Sequence, residues 1–118
     1  MPFRFKNLKI YQGAKILHKI IVRLTRDFPQ RFYYLLDQTR RASLSVVLNI
    51  AEGSGKNSDK DFNRYIGNSL GSLNELVACL EVALEEKIIT KKEFEFVLEK
   101  CESLSNQLGA FSKRLKGQ

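Results

Sequence analysis

The sequence predicts an all-α protein, an antiparallel up-down-up-down four-helix bundle, on three observations. Apolar residues recur at helical spacing in four long stretches. No period-2 alternation bounded by turn residues occurs. Proline stands only at positions 2 and 29, and glycine falls mainly at the ends of the stretches or in one cluster. The 118 residues are near the usual size of one domain, so residues 1–118 are read as a single domain with one core.

The first helix is expected over about residues 7–27, with Asn7 as N-cap. Ile10, Ala14, Leu17, Ile21 and Leu24 form its apolar seam. Phe28-Pro29 ends it, because the residue before proline avoids the α region. The second helix is expected over 30–52, with Gly53 as a left-handed stop. Its run Leu44, Val46, Val47, Leu48, Ile50, Ala51 is apolar on almost every side. A helix apolar all round is a buried helix. A small protein has little room to bury one within itself, so part of this face is expected to meet another subunit.

The third helix is expected over 58–88. Ser58 caps it and Asp61 reaches back in a variant of the capping box. Phe62, Ile66, Leu70, Leu73, Leu76, Val77, Leu80 and Leu84 give its buried stripe. Thr90-x-x-Glu93 is a full capping-box signature for a fourth helix over 90–115. Its seam is Phe94, Val97, Cys101, Leu104, Leu108, Phe111 and Leu115. Short links between long helices imply antiparallel neighbours.

Helix 3 contains Gly67, Ser69, Gly71 and Ser72, and helix 2 contains Ala42, Ser43 and Ser45. Each interior glycine costs about 1 kcal/mol relative to alanine, and close approach of a neighbouring backbone would offset that. Helices 2 and 3 are therefore expected to cross tightly here. Ser45, Asn49, Asn68, Ser69 and Glu75 are expected to share buried hydrogen bonds, since buried polar groups need partners.

Charge is uneven. The net charge is +7. Residues 1–59 carry eleven Lys/Arg and four Asp/Glu, whereas residues 60–118 carry nine of each. Residues 1–26 alone hold seven basic groups and no acid. Such asymmetry points to an anionic partner. Lys15, Lys19, Arg23 and Arg26 share one face of helix 1, where they can neutralise phosphates and release counterions. The same stripe also fits an ordinary solvated face, or salt bridges to the acidic helices 3 and 4. Arg40 extends the basic patch or serves structure. Arg41 is assigned to structure, paired with Glu52, Glu75 or a neighbouring subunit.

Other motifs point away from catalysis. Glu52 and Asn49 resemble an acid/base pair, but no His, Cys or metal-ligand set accompanies them, and a polar network fixing helix register accounts for them better. No metal site and no cofactor are expected. Cys79 and Cys101 fall on apolar positions without a C-x-x-C pair and are read as reduced core residues. Gly53 to Ser58 does not form a phosphate loop: Ile50 stands where the first glycine belongs, Asn57 replaces Ser/Thr, and no strand precedes. Lys56 and the start of helix 3 could still hold a phosphate. Phe3, Phe5 and Tyr11, interleaved with Arg4, Lys6 and Lys9, could stack on bases or pack on the bundle. No apolar stretch has the length of a membrane span and the N-terminus lacks a signal-peptide pattern, so a cytoplasmic location is expected.

The stretch RRASLSVVLNIAEGSGKNSDKDFNRYIGNSLGSLNEL resembles the four-helix-bundle proteins of 23S rRNA intervening sequences. The landmarks are Gln38, Arg40-Arg41-Ala42, Asn49-Ile50-Ala51-Glu52-Gly53, Ser58, Phe62, Gly71-Ser72 and Glu75-Leu76, with Phe28-Pro29 upstream. The likeness spans about residues 8–115, and the Asn-Ile-Ala-Glu-Gly block is its most specific part. This family is in turn similar to the accessory variability determinant proteins of diversity-generating retroelements. That similarity implies a homo-oligomer, with a pentamer favoured, and partners among RNA, DNA and a reverse transcriptase-like protein. Where the family has a Leu-Gly pair near the end of helix 3, this chain has Glu85-Glu86-Lys87, a departure that falls at the turn into helix 4. Tyr11 stands where an aromatic such as Trp is common.

Together these features predict a non-enzymatic, oligomeric bundle that binds nucleic-acid backbone through helix 1. The competing class is a structural or protein-interaction module without direct nucleic-acid binding.

Overall fold

The structure is a computed structural model and describes residues 2–118. Four helices follow one another: α1 (Lys9–Thr25), α2 (Tyr33–Ser54), α3 (Asp59–Glu85) and α4 (Lys91–Leu115). Short 3-10 turns at Arg4–Asn7 and Gln30–Phe32 precede α1 and α2. Each helix packs on the next and α4 returns to α1, which closes an up-down-up-down four-helix bundle. The molecule measures 44 × 24 × 19 Å.

The apolar seams find one another. Ile21, Val46, Ile50, Ile66, Leu76, Leu80, Val97 and Leu108 are fully buried, and every helix contributes. Burying one such side chain contributes about 1.5–3 kcal/mol, so the shared core sets the rotation of each helix. Cys79 and Cys101 are free thiols within it. Burial pushes the Cys101 thiol up to about 12 and also raises Cys79.

Helix ends show where local sequence decides and where it does not. Ser58 accepts from the Asp61 backbone N–H at 3.1 Å. The Asp61 carboxylate does not reach back as expected; it pairs with Arg64 at 3.0 Å. At Thr90 the capping box is complete, with Thr90 Oγ1 accepting from Glu93 N and Glu93 Oε1 accepting from Thr90 N. Asn7 is not the cap of α1: it lies in the 3-10 turn, and Leu8 holds the N-cap position in extended conformation with no side-chain bond.

Gly53 does not end α2 in a left-handed conformation. It is buried inside the helix, which runs on to Ser54 with Gly55 as C-cap at φ −87°. A Cβ on Gly53 would lie 2.6 Å from Tyr65 Cβ and 2.9 Å from Phe62 Cδ1, so its role is close approach to α3. α3 stops at Glu85, before the expected boundary. Lys87 takes φ 59°, its N–H donates to Leu84 O, and Ile88 N–H donates to Ala83 O. That is a Schellman motif with lysine in the left-handed position where glycine is usual.

α2 and α3 do cross tightly, with the most extensive contact in the bundle. Ser69 Oγ donates to Val46 O at 3.0 Å and Ser45 shares a bond with Ser72 at 2.8 Å. Gly67 and Gly71 take no part: a Cβ on either would meet nothing within 4 Å, because both face away from the bundle.

Candidate nucleic-acid interface

The burial of Ile10, Ala14, Leu17, Ile21 and Thr25 fixes the rotation of α1. At 100° per residue, Lys15, Lys19 and Arg26 then point outward, with Arg23 turned slightly toward α4. All four are exposed. They extend about 16 Å along the axis and cover about a quarter of its circumference. Among the described residues the ion pairs are Arg64–Asp61 and Lys91–Glu95, so none of the four cations is neutralised in the chain. Lys15 Nζ lies 5.0 Å from the Tyr11 ring centroid, which steers the side chain without removing its charge.

Arg40 has a different environment. Its Nε donates to Thr25 Oγ1 at 2.8 Å and its Nη2 donates to Val22 O at 3.1 Å. Thr25 Oγ1 in turn donates to Ile21 O. The guanidinium is therefore a clasp between α1 and α2, and two of its donors are spent inside the protein. Beside it, His18 Nδ1 and Ser43 Oγ stand 2.6 Å apart, and Ser43 Oγ donates to Arg40 O. Burial, then the Arg40 charge, holds His18 below its usual 6.5. No periodic pattern marks this clasp, because its members are small or polar residues distant in sequence.

The residues assigned to a polar network separate. Ser45 and Asn49 belong together: Asn49 Nδ2 donates to Ser45 O at 2.9 Å and to Ser45 Oγ at 3.1 Å. Glu75 lies exposed on α3 and accepts from Gln38 Nε2 at 2.6 Å. Arg41 and Glu52 are also exposed. They flank Leu44 and Leu48 on the outer face of α2, where these leucines are 42% and 55% exposed. Asn68 is exposed as well.

At the α2–α3 turn, Lys56 and Arg64 both lie against the Tyr65 ring: Lys56 Nζ is 5.1 Å and Arg64 Cζ 4.6 Å from its centroid. Asp59 and Asp61 occupy the first turn of α3, so carboxylates already face the helix dipole there. The turn is thus poorly suited to phosphate. The N-terminal arm packs on the bundle. Phe5 meets Tyr11 edge-on at 4.9 Å, Arg4 Nε donates to Ser54 O, and Arg4 lies 5.5 Å from the Phe62 centroid. Phe3 remains 69% exposed.

Among the described residues no cluster of His, Cys, Asp or Glu is placed to hold a metal ion. Among those residues, too, no helix is long and apolar enough to cross a membrane.

The fold and this surface define a basic, all-α four-helix bundle with an unneutralised cationic helix on its outside. The family model for the 23S rRNA-intervening sequence protein matches residues 6–110, and the chain belongs to that family. Its structure is similar to the crystal structure of a protein of unknown function from the S23 ribosomal protein family of Bacteroides thetaiotaomicron, with a TM-score of 0.80. The two share 21% identity over 88% of this chain and 98% of that one, a likeness of fold. No curated protein sequence matches the chain.

Proposed function

We propose that this chain is a non-enzymatic nucleic-acid-binding protein that grips phosphate backbone with the outer face of α1. The observation that carries this reading is the row Lys15, Lys19, Arg23 and Arg26, exposed and without a counter-ion among the described residues. Cations in such a row attract phosphates regardless of base sequence. The family's association with 23S rRNA intervening sequences favours RNA as ligand. Arg40 spends two of its donors on the clasp between α1 and α2, so it ranks behind the α1 row in the proposed contact.

The protein acts as a homo-oligomer. Leu44 and Leu48, one turn apart on the outside of α2, supply an apolar contact between copies, with Arg41 and Glu52 at its edge. The likeness to accessory variability determinant proteins favours a pentamer and a reverse transcriptase-like partner. Repetition of the α1 row around a ring would add weak contacts through avidity. The chain needs no cofactor for this role, and a cytoplasmic location fits it.

The test is the quadruple variant Lys15→Gln, Lys19→Gln, Arg23→Gln, Arg26→Gln. RNA retention at physiological salt should be abolished while helical signal and oligomer size hold. Unchanged retention refutes the assignment of the α1 face.

A further inference from the structure

The seam between α1 and α4 is the least extensive contact between neighbouring helices. At one end the two helices lie close, since a Cβ on Gly13 would stand 3.5 Å from Leu104 Cδ1. At the other end they leave a groove of about 570 Å³. Ile20 and Leu24 of α1 form one wall, and Phe96 and Val97 of α4 the other. Ile16 lies one turn before Ile20 on the same side of α1 and lengthens the apolar strip. Ile16 is 61% exposed and Phe96 52% exposed, although both are large apolar side chains.

The rim is cationic. Arg23 borders the groove from α1 and Lys92 from α4. Lys100, one turn beyond Phe96, places its Nζ 5.2 Å from the Phe96 ring centroid. None of these three is in an ion pair among the described residues. Among the residues that line the groove the one carboxylate, Glu93, is committed to the capping box of α4. An apolar floor between two cationic edges is complementary to one kind of partner surface. We propose that this groove docks an amphipathic helix of a partner protein, with apolar anchors along one face and acidic residues on both flanks. The strip from Ile16 to Leu24 runs about 12 Å, enough for anchors spanning two turns of such a helix. This surface is independent of the proposed RNA contact except at Arg23, and the test avoids that residue.

Fluorescence anisotropy with the full chain provides the test. The probe is a labelled synthetic peptide of about four turns, with Leu and Phe on one face and Glu on its flanks. Two control peptides are used, one with the same composition scrambled to destroy the apolar face and one with Lys replacing Glu. Saturable binding of the first peptide alone is expected. The double variant Ile16→Ser, Phe96→Ser should weaken it at least about tenfold, as loss of interface anchors does. Both side chains are mostly exposed, so thermal midpoint and helical signal should hold; folding of the variant is checked by both. The proposal is overturned by absence of binding at millimolar peptide, by equal binding of either control, or by full binding to the double variant. A drop in oligomer size in that variant makes a second copy the occupant, and loss of RNA retention makes nucleic acid the occupant; either overturns the proposal.

Discussion

Gly53→Ala should destabilise the protein, although alanine is the better helix former. A methyl group at this position would meet Tyr65 Cβ at 2.6 Å and Phe62 Cδ1 at 2.9 Å. Carbon atoms in contact prefer about 3.5–4.0 Å, so the gap must open by about 1 Å. Tyr65 Cβ is fixed to the α3 backbone and cannot rotate away. Phe62 is 2% exposed and meets Phe111 edge-on at 5.2 Å, so it has little room either. The end of α2 must therefore lift from α3. Overpacking of this kind costs about 1–3 kcal/mol, against a propensity gain below about 1 kcal/mol in the last turn of the helix. The net loss is about 1–2 kcal/mol. For a chain of this length that lowers the thermal midpoint by about 4–8 °C. Gly67→Ala is the control: nothing lies within 4 Å of its Cβ position and it sits inside α3. It should gain about 0.5–1 kcal/mol, a rise of about 2–4 °C. Both are read from urea and thermal unfolding followed by circular dichroism at one fixed protein concentration, because assembly makes apparent stability concentration-dependent. A Gly53→Ala protein as stable as wild type would refute the close-approach account.

Two further outcomes follow from single residues. Lys87→Gly should stabilise by about 1 kcal/mol, because Lys87 holds φ 59° and glycine removes the steric cost of that conformation; an unchanged urea midpoint would contradict the Schellman assignment. His18 has its pKa lowered by burial and by Arg40, so the unfolded chain binds a proton that the folded chain resists. Its contribution is fully present above the unfolded value near 6.5 and is lost as pH falls through that value toward the folded pKa. His18→Gln should flatten the fall in urea midpoint between about pH 7 and pH 5, and an identical slope in both proteins would contradict the burial of the imidazole.

Periodicity made the four helices legible, because one shared core rewards the same 3.6-residue repeat in each. Ile10 through Leu24 on α1 and Val97 through Leu108 on α4 needed no tertiary knowledge. Ser58 and Thr90 were equally legible, since a cap acts on backbone within three residues of itself. Gly53 was not. A glycine after an apolar run reads as a stop, and only the position of Tyr65 on another helix shows otherwise. Gly67 and Gly71 were misplaced for the related reason that spacing gives a helix its faces without saying which face a neighbour covers. The α1 cations could be placed on one face from spacing alone, whereas Arg40 could not be separated from them. Its partners, Thr25 and Val22, lie 15 and 18 residues away on another helix. The groove at Phe96 was invisible for a similar reason, since it arises from how α1 and α4 diverge.

The proposed function rests on phosphate binding by the four α1 cations, none of which is ion-paired among the described residues. Its most direct test is the salt dependence of RNA affinity for wild type and for the quadruple glutamine variant, measured on the same single-stranded RNA. Each phosphate contact contributes about −0.7 to the slope of log affinity against log salt. The wild-type slope should therefore be steeper by about 3 for each subunit that engages the strand. Parallel slopes for the two proteins would contradict the assignment and leave the α1 row as an ordinary solvated face.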